Sequence, residues 1–385
     1  MLRKLLEKCE KRNDAYFTNL NKYSFSSIKM SKLDKENIIV NLLKEIFGKT
    51  RDGQTIEKFI IRNTNGISCT VISYGAILTS FKMPNSNRYE EEITLGFDTL
   101  EEYLIGNPYF GATIGRYSNR IAKGKFILNG VQYNLVCNEN DINHLHGGNK
   151  GFDKVIWKAE SFENAQNAGV KFTYFSPDGE EGYPGNMNVS VTYSLNEKNE
   201  LKFMYWAQTD KLTPVSLTNH TFWNLSGAGS GTILDHELTL NCLQYLPVDK
   251  TLIPTGEFKD VSGTPMDFTY SKKIGKEFSD VPSGYDHCYV ITPSDQDVKL
   301  AAIVYDPKSS RSMEVLTTQP GIQFYTGNFL DNIKGANGKI FKKHGALCLE
   351  TQSLPDSVNH PEFPSSILKP GETYRYITVH RFYIK

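Results

Sequence analysis

Hydrophobic positions recur with a period of two along most of this chain. Past Thr55, short runs rich in β-branched and aromatic residues are separated by clusters of Gly, Asn, Asp and Pro. They include TIEKFIIRN, GISCTVISYG, EITLGF, GKFILNGVQYNL, NAGVKFTYF, MNVSVTYSL, LKFMYWAQT, KLAAIVYD and SMEVLTT, and such runs predict strands. Val189, Val191, Tyr193 and Leu195 alternate with polar residues, as do Leu201, Phe203 and Tyr205. That spacing fits strands with one buried face, and the polar bend at 197–199 predicts a hairpin between them. No helical period longer than two turns follows residue 50. The segment 35–47 reads both ways. Asp34 is placed to cap a helix in which Ile39, Leu43 and Phe47 recur every four residues, with Gly48 beyond. Ile38, Ile39 and Val40 favour a strand instead.

More than fifteen strands are expected, with no fixed repeat and no composition break that marks a linker. The pattern predicts an all-β fold: one large sandwich or split barrel of mostly antiparallel strands over residues 45–385. Residues 1–44 are expected to form a basic, poorly ordered extension. Nine Lys or Arg face four acids in the first 35 residues, a net of +5. Glu7, Glu10 and Asp14 argue against an organelle presequence there.

Composition narrows the classes. The 43 Lys+Arg balance the 43 Asp+Glu, and 39% of the 385 residues are hydrophobic. A sizeable core is therefore affordable, and neither general disorder nor nucleic-acid binding by net positive charge is expected. No apolar run reaches the length of a membrane span, and the start lacks the apolar region of a secretory signal. Cys9, Cys69, Cys137, Cys242, Cys288 and Cys348 lie too far apart for a CxxC pair or a zinc knuckle. They read as reduced thiols in a cytoplasmic protein, and the N-x-[ST] triplets at Asn188, Asn219 and Asn224 as accidental.

Candidate chemistry lies in the loops. His144 and His146 share one side of an extended segment and could join His220 and His287 around a metal, but no Asp or Glu follows at a spacing that completes a typical motif. His144 reads better as structural. His220, enclosed in NHTFWN, can serve as acid or base near neutral pH or can brace its loop. Glu350 ends an apolar run, where a carboxylate is either paired or functional, and partial desolvation strengthens it as a base. Arg120, Asp286 and Gln319, beside Phe222 and Tyr325, suit a neutral polyhydroxylated ligand better than a phosphorylated one. There is no GxGxxG after a strand, no P-loop and no G-x-S-x-G elbow.

Taken in order, GRYSNRIAKGKF, HLHGGNKGFDKVIW, SPDGEEGYPGN, NHTFWNLSG, YDHCYV, QPGIQFYTGN and LETQSLPDSVNHPEFPSSILKPGETY resemble the aldose 1-epimerase (galactose mutarotase) family. The resemblance covers roughly residues 45 to 385. It implies a β-supersandwich and interconversion of the α and β anomers of aldohexoses such as D-galactose and D-glucose, with no cofactor and no metal. It casts His220 as general acid and Glu350 as general base. His146 is implied as a third catalytic group, donating toward the ring or C1 oxygen. Asn119, Arg120, Asp286 and Gln319 are the implied sugar contacts. The partner is a small sugar, with no nucleic acid or membrane implied. The oligomeric state stays open and is compatible with a monomer. A hexose-6-phosphate 1-epimerase and a non-catalytic sugar-binding protein are the competing readings; the first needs cationic contacts that the motif loops lack.

Overall fold

Most of the runs with period two are strands in the computed structural model, which describes residues 40–85, 89–106 and 108–385. The runs beginning near 55, 68, 167, 187, 200, 299 and 311 become Thr55–Arg62, Ser68–Ile72, Asn167–Ser176, Met187–Asn196, Glu200–Thr209, Lys299–Tyr305 and Arg311–Thr317. Lys125–Leu128 and Val131–Asn134 form a hairpin whose turn, Asn129 and Gly130, has φ of 50° and 78°. Positive φ at both turn residues is what an Asn-Gly hairpin supplies. EITLGF is the exception. Its Glu92 ends the short strand Glu90–Glu92, and past that an isolated bridge from Thr94 to Trp223 is what remains. Among the described residues the one α-helix is Leu100–Leu104, started by a capping box between Thr99 and Glu102. No helix among them is long and apolar enough to cross a membrane.

The segment that read both ways is a strand, Asn41–Lys49, paired with Thr55–Arg62. A spacing of four is a multiple of two, so the recurrence of Leu43 and Phe47 was compatible with either period. Residues 1–39, with the basic stretch and Asp34, lie outside the described residues.

Every strand pair within the sheets is antiparallel, and three sheets build the body of the domain. Asn41–Lys49, Thr55–Arg62, Ser68–Ile72, Ile77–Pro84 and Glu90–Glu92 follow one another in a five-stranded sheet. A nine-stranded sheet runs from Lys158–Glu163 to Lys272–Lys273, and the last strand of the chain, Tyr374–Ile384, is inserted between Glu200–Thr209 and Arg311–Thr317. The third sheet contains Asp286–Val290, Gly321–Tyr325 and Cys348–Gln352 side by side.

Phe59, Val71 and Phe81 of the first sheet share one hydrophobic cluster with Phe172, Val191, Phe203 and Phe382 of the second. Burying each such side chain is worth about 1.5–3 kcal/mol. The third sheet gives Tyr289, Ile322, Phe324 and Leu349 to the same cluster. Alternation then fixes what its other face holds. Asp286 pairs with Tyr325 and Tyr325 with Cys348, while Cys288 pairs with Gln323 and Gln323 with Glu350. One face of this sheet is core, and the other carries polar chemistry.

Candidate active site

The loop bearing His220 is tied down on both sides. The His220 amide donates to the Ala112 carbonyl at 2.9 Å, and the Gly111 amide donates to the His220 carbonyl at 3.0 Å. Three residues on, Trp223 and Leu347 exchange backbone hydrogen bonds of 2.8 and 2.9 Å. Trp223 is 1% exposed and packs edge-on to Phe81, so it is a core anchor. Because Leu347 immediately precedes Cys348–Gln352, the same bridge sets His220 against Glu350.

The His220 ring lies between Phe222, stacked at 5.0 Å, and Tyr109, stacked at 5.7 Å. Its Nε2 faces Glu350 Oε1 across 3.7 Å, and its Nδ1 lies 3.6 Å from Cys348 Sγ. Glu350 is 2% exposed, and its Oε2 has no hydrogen-bond partner among the described residues. Burial penalises both charged forms. It lowers the His220 imidazolium to about 4, with the ring's own backbone carbonyl opposing. It raises Glu350 well above the carboxylate range; Asp286 adds to that rise and Arg120 works against it.

Asn119, Arg120 and His146 form a second wall. The strand pair Arg120–Ile121 and His144–Leu145 brings them together. The Asn119 amide donates to His146 Nδ1 at 3.2 Å, and the His146 amide donates to the Asn119 carbonyl at 3.0 Å. A ring that accepts at Nδ1 carries its proton on Nε2. Burial, reinforced by His220 and Arg120, holds the His146 pKa well below its ordinary value, so that ring is neutral. The His146 ring lies 5.3 Å from His220 and 4.7 Å from Tyr109. Arg120 is held by Glu139: Nε and Nη2 donate to the carboxylate at 2.8 and 2.6 Å.

Asp286 completes the group, its Oδ1 accepting from Gln323 Nε2 at 2.6 Å. Burial raises its pKa, against the pull of Arg120 and the Gln323 hydrogen bond. The structure thus brings together Asn119, Arg120, His146, His220, Asp286 and Glu350. Gln319 does not join them. It is fully buried, and its Nε2 lies 3.2 Å from the Tyr374 hydroxyl and 3.4 Å from the Leu217 carbonyl. Gln323, four residues later, faces the site.

The four histidines considered for a metal do not converge. His144 is fully buried between the Val136 carbonyl at 2.8 Å and the Tyr183 hydroxyl at 2.6 Å, a structural role. His287 Nδ1 accepts from the Asp286 amide at 3.2 Å, and its ring packs edge-on to Tyr245. Among the described residues, the metal-type donors that do approach one another are those of His220, Cys348 and Glu350, within 4.8 Å.

Residues 57–381 match the family model described as aldose 1-epimerase. The chain belongs to that family. Galactose mutarotase of Mus musculus is 46% identical over 347 residues, covering 89% of this chain and 99% of the relative. Aldose 1-epimerase of Escherichia coli (strain K12) is 36% identical over 348 residues, with the same coverage. The crystal structure of an aldose epimerase homologue from C. elegans superposes with a TM-score of 0.77 at 30% identity, over 83% of this chain and 97% of that one.

For an aldose 1-epimerase, four residues of this site escaped the sequence reading. Gln323 stands two residues before Tyr325 on one strand, but the strand alone does not say which of its faces meets the site. Cys348 likewise lies two residues before Glu350. Tyr109 and Glu139 left no local signal. Tyr109 sits at φ 64° in an irregular segment, and Glu139 reaches Arg120 from 19 residues away.

Proposed function

We propose that this aldose 1-epimerase interconverts the α and β anomers of D-galactose and D-glucose, with Glu350 as base and His220 as acid. The observation that carries the reading is the buried pair facing itself across 3.7 Å with opposite pKa shifts. Such coupled groups titrate as a unit. Between the two limits the pair holds one proton, so it always offers one donor and one acceptor. The two shifts put that proton on Glu350 at rest; the arrangement that reacts has it on His220, and Arg120 favours that one by stabilising the carboxylate.

The chemistry follows from the hemiacetal. Glu350 takes the proton of the C1 hydroxyl while His220 Nε2 gives its proton to the ring oxygen. The electron pair on O1 forms the carbonyl, and the C1–O5 bond breaks to give the open-chain aldehyde. Rotation about C1–C2 presents the other carbonyl face, and reclosure returns both protons. His146 Nε2–H stabilises charge as it shifts between the two oxygens. Arg120, Asn119, Asp286 and Gln323 hold the hydroxyls. General acid and base groups contribute on the order of 10²–10⁴ each.

Polarimetry of freshly dissolved α-D-galactose and α-D-glucose at low buffer concentration tests the reading. Acceleration above the spontaneous rate is expected, and its loss in His220→Asn protein ties it to this site. No acceleration of either sugar by folded protein would overturn it.

A further inference from the structure

The strand Cys348–Gln352 puts two reactive side chains on the site face, and the mechanism uses one of them. The other is Cys348, two residues before Glu350 and fully buried. It has no disulfide partner. Its Sγ lies 3.6 Å from Nδ1 of His220, a distance suited to a hydrogen bond with sulfur. The ring is therefore held on every side: Phe222 and Tyr109 cover its faces, Cys348 meets one nitrogen and Glu350 the other.

A neutral imidazole has a single N–H, and what the far nitrogen bonds to decides which nitrogen is free for chemistry. For proton exchange with a sugar, Nε2 must be able to lose its proton and regain it. That requires the second proton to stay on Nδ1 throughout, with an acceptor beside it. We propose that Cys348 is a positioning residue: its sulfur accepts the Nδ1 proton of His220 and leaves Nε2, the nitrogen facing Glu350, as the one that exchanges its proton with the sugar. The proposal rests on His220 acting as the acid. When Nε2 gives its proton to the ring oxygen, the imidazolium becomes the neutral Nδ1–H ring; reclosure restores it, and Cys348 is unchanged.

A thiol suits this position for an electrostatic reason. Burial, Glu350 and Asp286 keep Cys348 protonated and neutral. A neutral sulfur is a weak acceptor. It orients the ring without stabilising the imidazolium as a carboxylate there would, so His220 remains a strong acid. The two histidines of the site then hold opposite tautomers. His146, accepting at Nδ1, is a fixed Nε2–H donor, while His220 is the shuttle.

Long-range proton–nitrogen correlation spectra of ¹⁵N-histidine-labelled protein read the tautomer directly, His220 being assigned by its absence in His220→Asn. The resting wild-type ring is expected to be protonated at Nδ1. Cys348→Ala, checked by thermal unfolding, is expected to lose that state and to lower kcat about tenfold or more, with KM within about twofold. Cys348→Ser keeps an acceptor and is expected to stay within about threefold of wild type. Resting protein protonated at Nε2 overturns the proposal even if no variant folds. So does a folded Cys348→Ala protein with wild-type kcat, or a Cys348→Ser protein that falls as far as the alanine. Failure of the functional reading is seen separately, as wild-type protein without mutarotation, and the nitrogen shifts still decide the tautomer.

Discussion

Glu350 and His220 differ from ordinary surface acids and bases through what surrounds them. Each is almost removed from water, and neither has a full ion pair: 3.7 Å separates them, and Glu350 Oε2 is unpartnered. A buried acceptor left open in this way is costly unless a ligand supplies the missing donor. Glu350→Gln keeps the shape and removes the base, so it is expected to lower kcat by about 10² or more while sugar affinity changes little. Polarimetry and calorimetric titration with galactose check the two halves. The two glutamines allow a sharper contrast. Gln323 lies on the site face and holds Asp286, whereas Gln319 serves Tyr374 and the Leu217 carbonyl. Gln323→Ala is expected to raise KM about tenfold, the effect of leaving a buried polar partner unpaired. Gln319→Ala is expected to lower the unfolding midpoint with KM unchanged. The reverse pattern would return Gln319 to the site.

Elements explain why some of these roles were legible in the sequence and others were not. His220, Asp286 and Arg120 sit in dense polar loops or at strand ends, and Glu350 interrupts an apolar run in the middle of its strand, so composition alone draws notice to them. QPGIQ offers two glutamines, and choosing between them needs the register of Gly321–Tyr325 against both neighbours, which one strand does not reveal. The same holds for 41–49, whose spacing of four satisfies helix and strand alike. Glu139 and Tyr109 are long-range contacts with no local period behind them. Loop geometry is a further case. Gly147, next to His146, has φ 87°, and a Cβ there would lie 1.9 Å from the Gly115 carbonyl oxygen. Neither conformation nor space admits a side chain. Gly147→Ala is expected to destabilise the protein by about 2 kcal/mol or more and to displace His146. Denaturant unfolding and polarimetry read both effects, and a variant with wild-type stability would show the turn to be more compliant than its contacts suggest.

The whole molecule keeps neutral histidines inside. Burial holds His144, His220, His236 and His287 to about 4 and His380 to about 3. Each binds more protons unfolded than folded between its folded value and the ordinary 6.5. Their stabilising effect is therefore full above about 6.5 and is lost as pH falls through that window. Buried carboxyls such as Glu350 and Glu92 have the opposite sign, losing stability as pH rises above the ordinary carboxylate value. Because the two sets oppose each other, the slope of a single variant is more informative than the total. His380 packs between Phe203 and Trp223, near Phe382, and its Nδ1 has no partner among the described residues. Protonating it would put an unpaired charge where the nine-stranded sheet meets Trp223, the residue whose backbone ties the His220 loop to Leu347. His380→Leu removes the titration while keeping an apolar group of similar size. Between pH 7 and pH 4, urea unfolding is expected to show this variant losing on the order of 3 kcal/mol less stability than wild type. Parallel pH curves would mean that the His380 cluster opens to water before the domain unfolds. Divergent curves would make the core beneath the site one source of its acid sensitivity, so that acid loosens the His220 loop by the same burial that sharpens His220 as an acid.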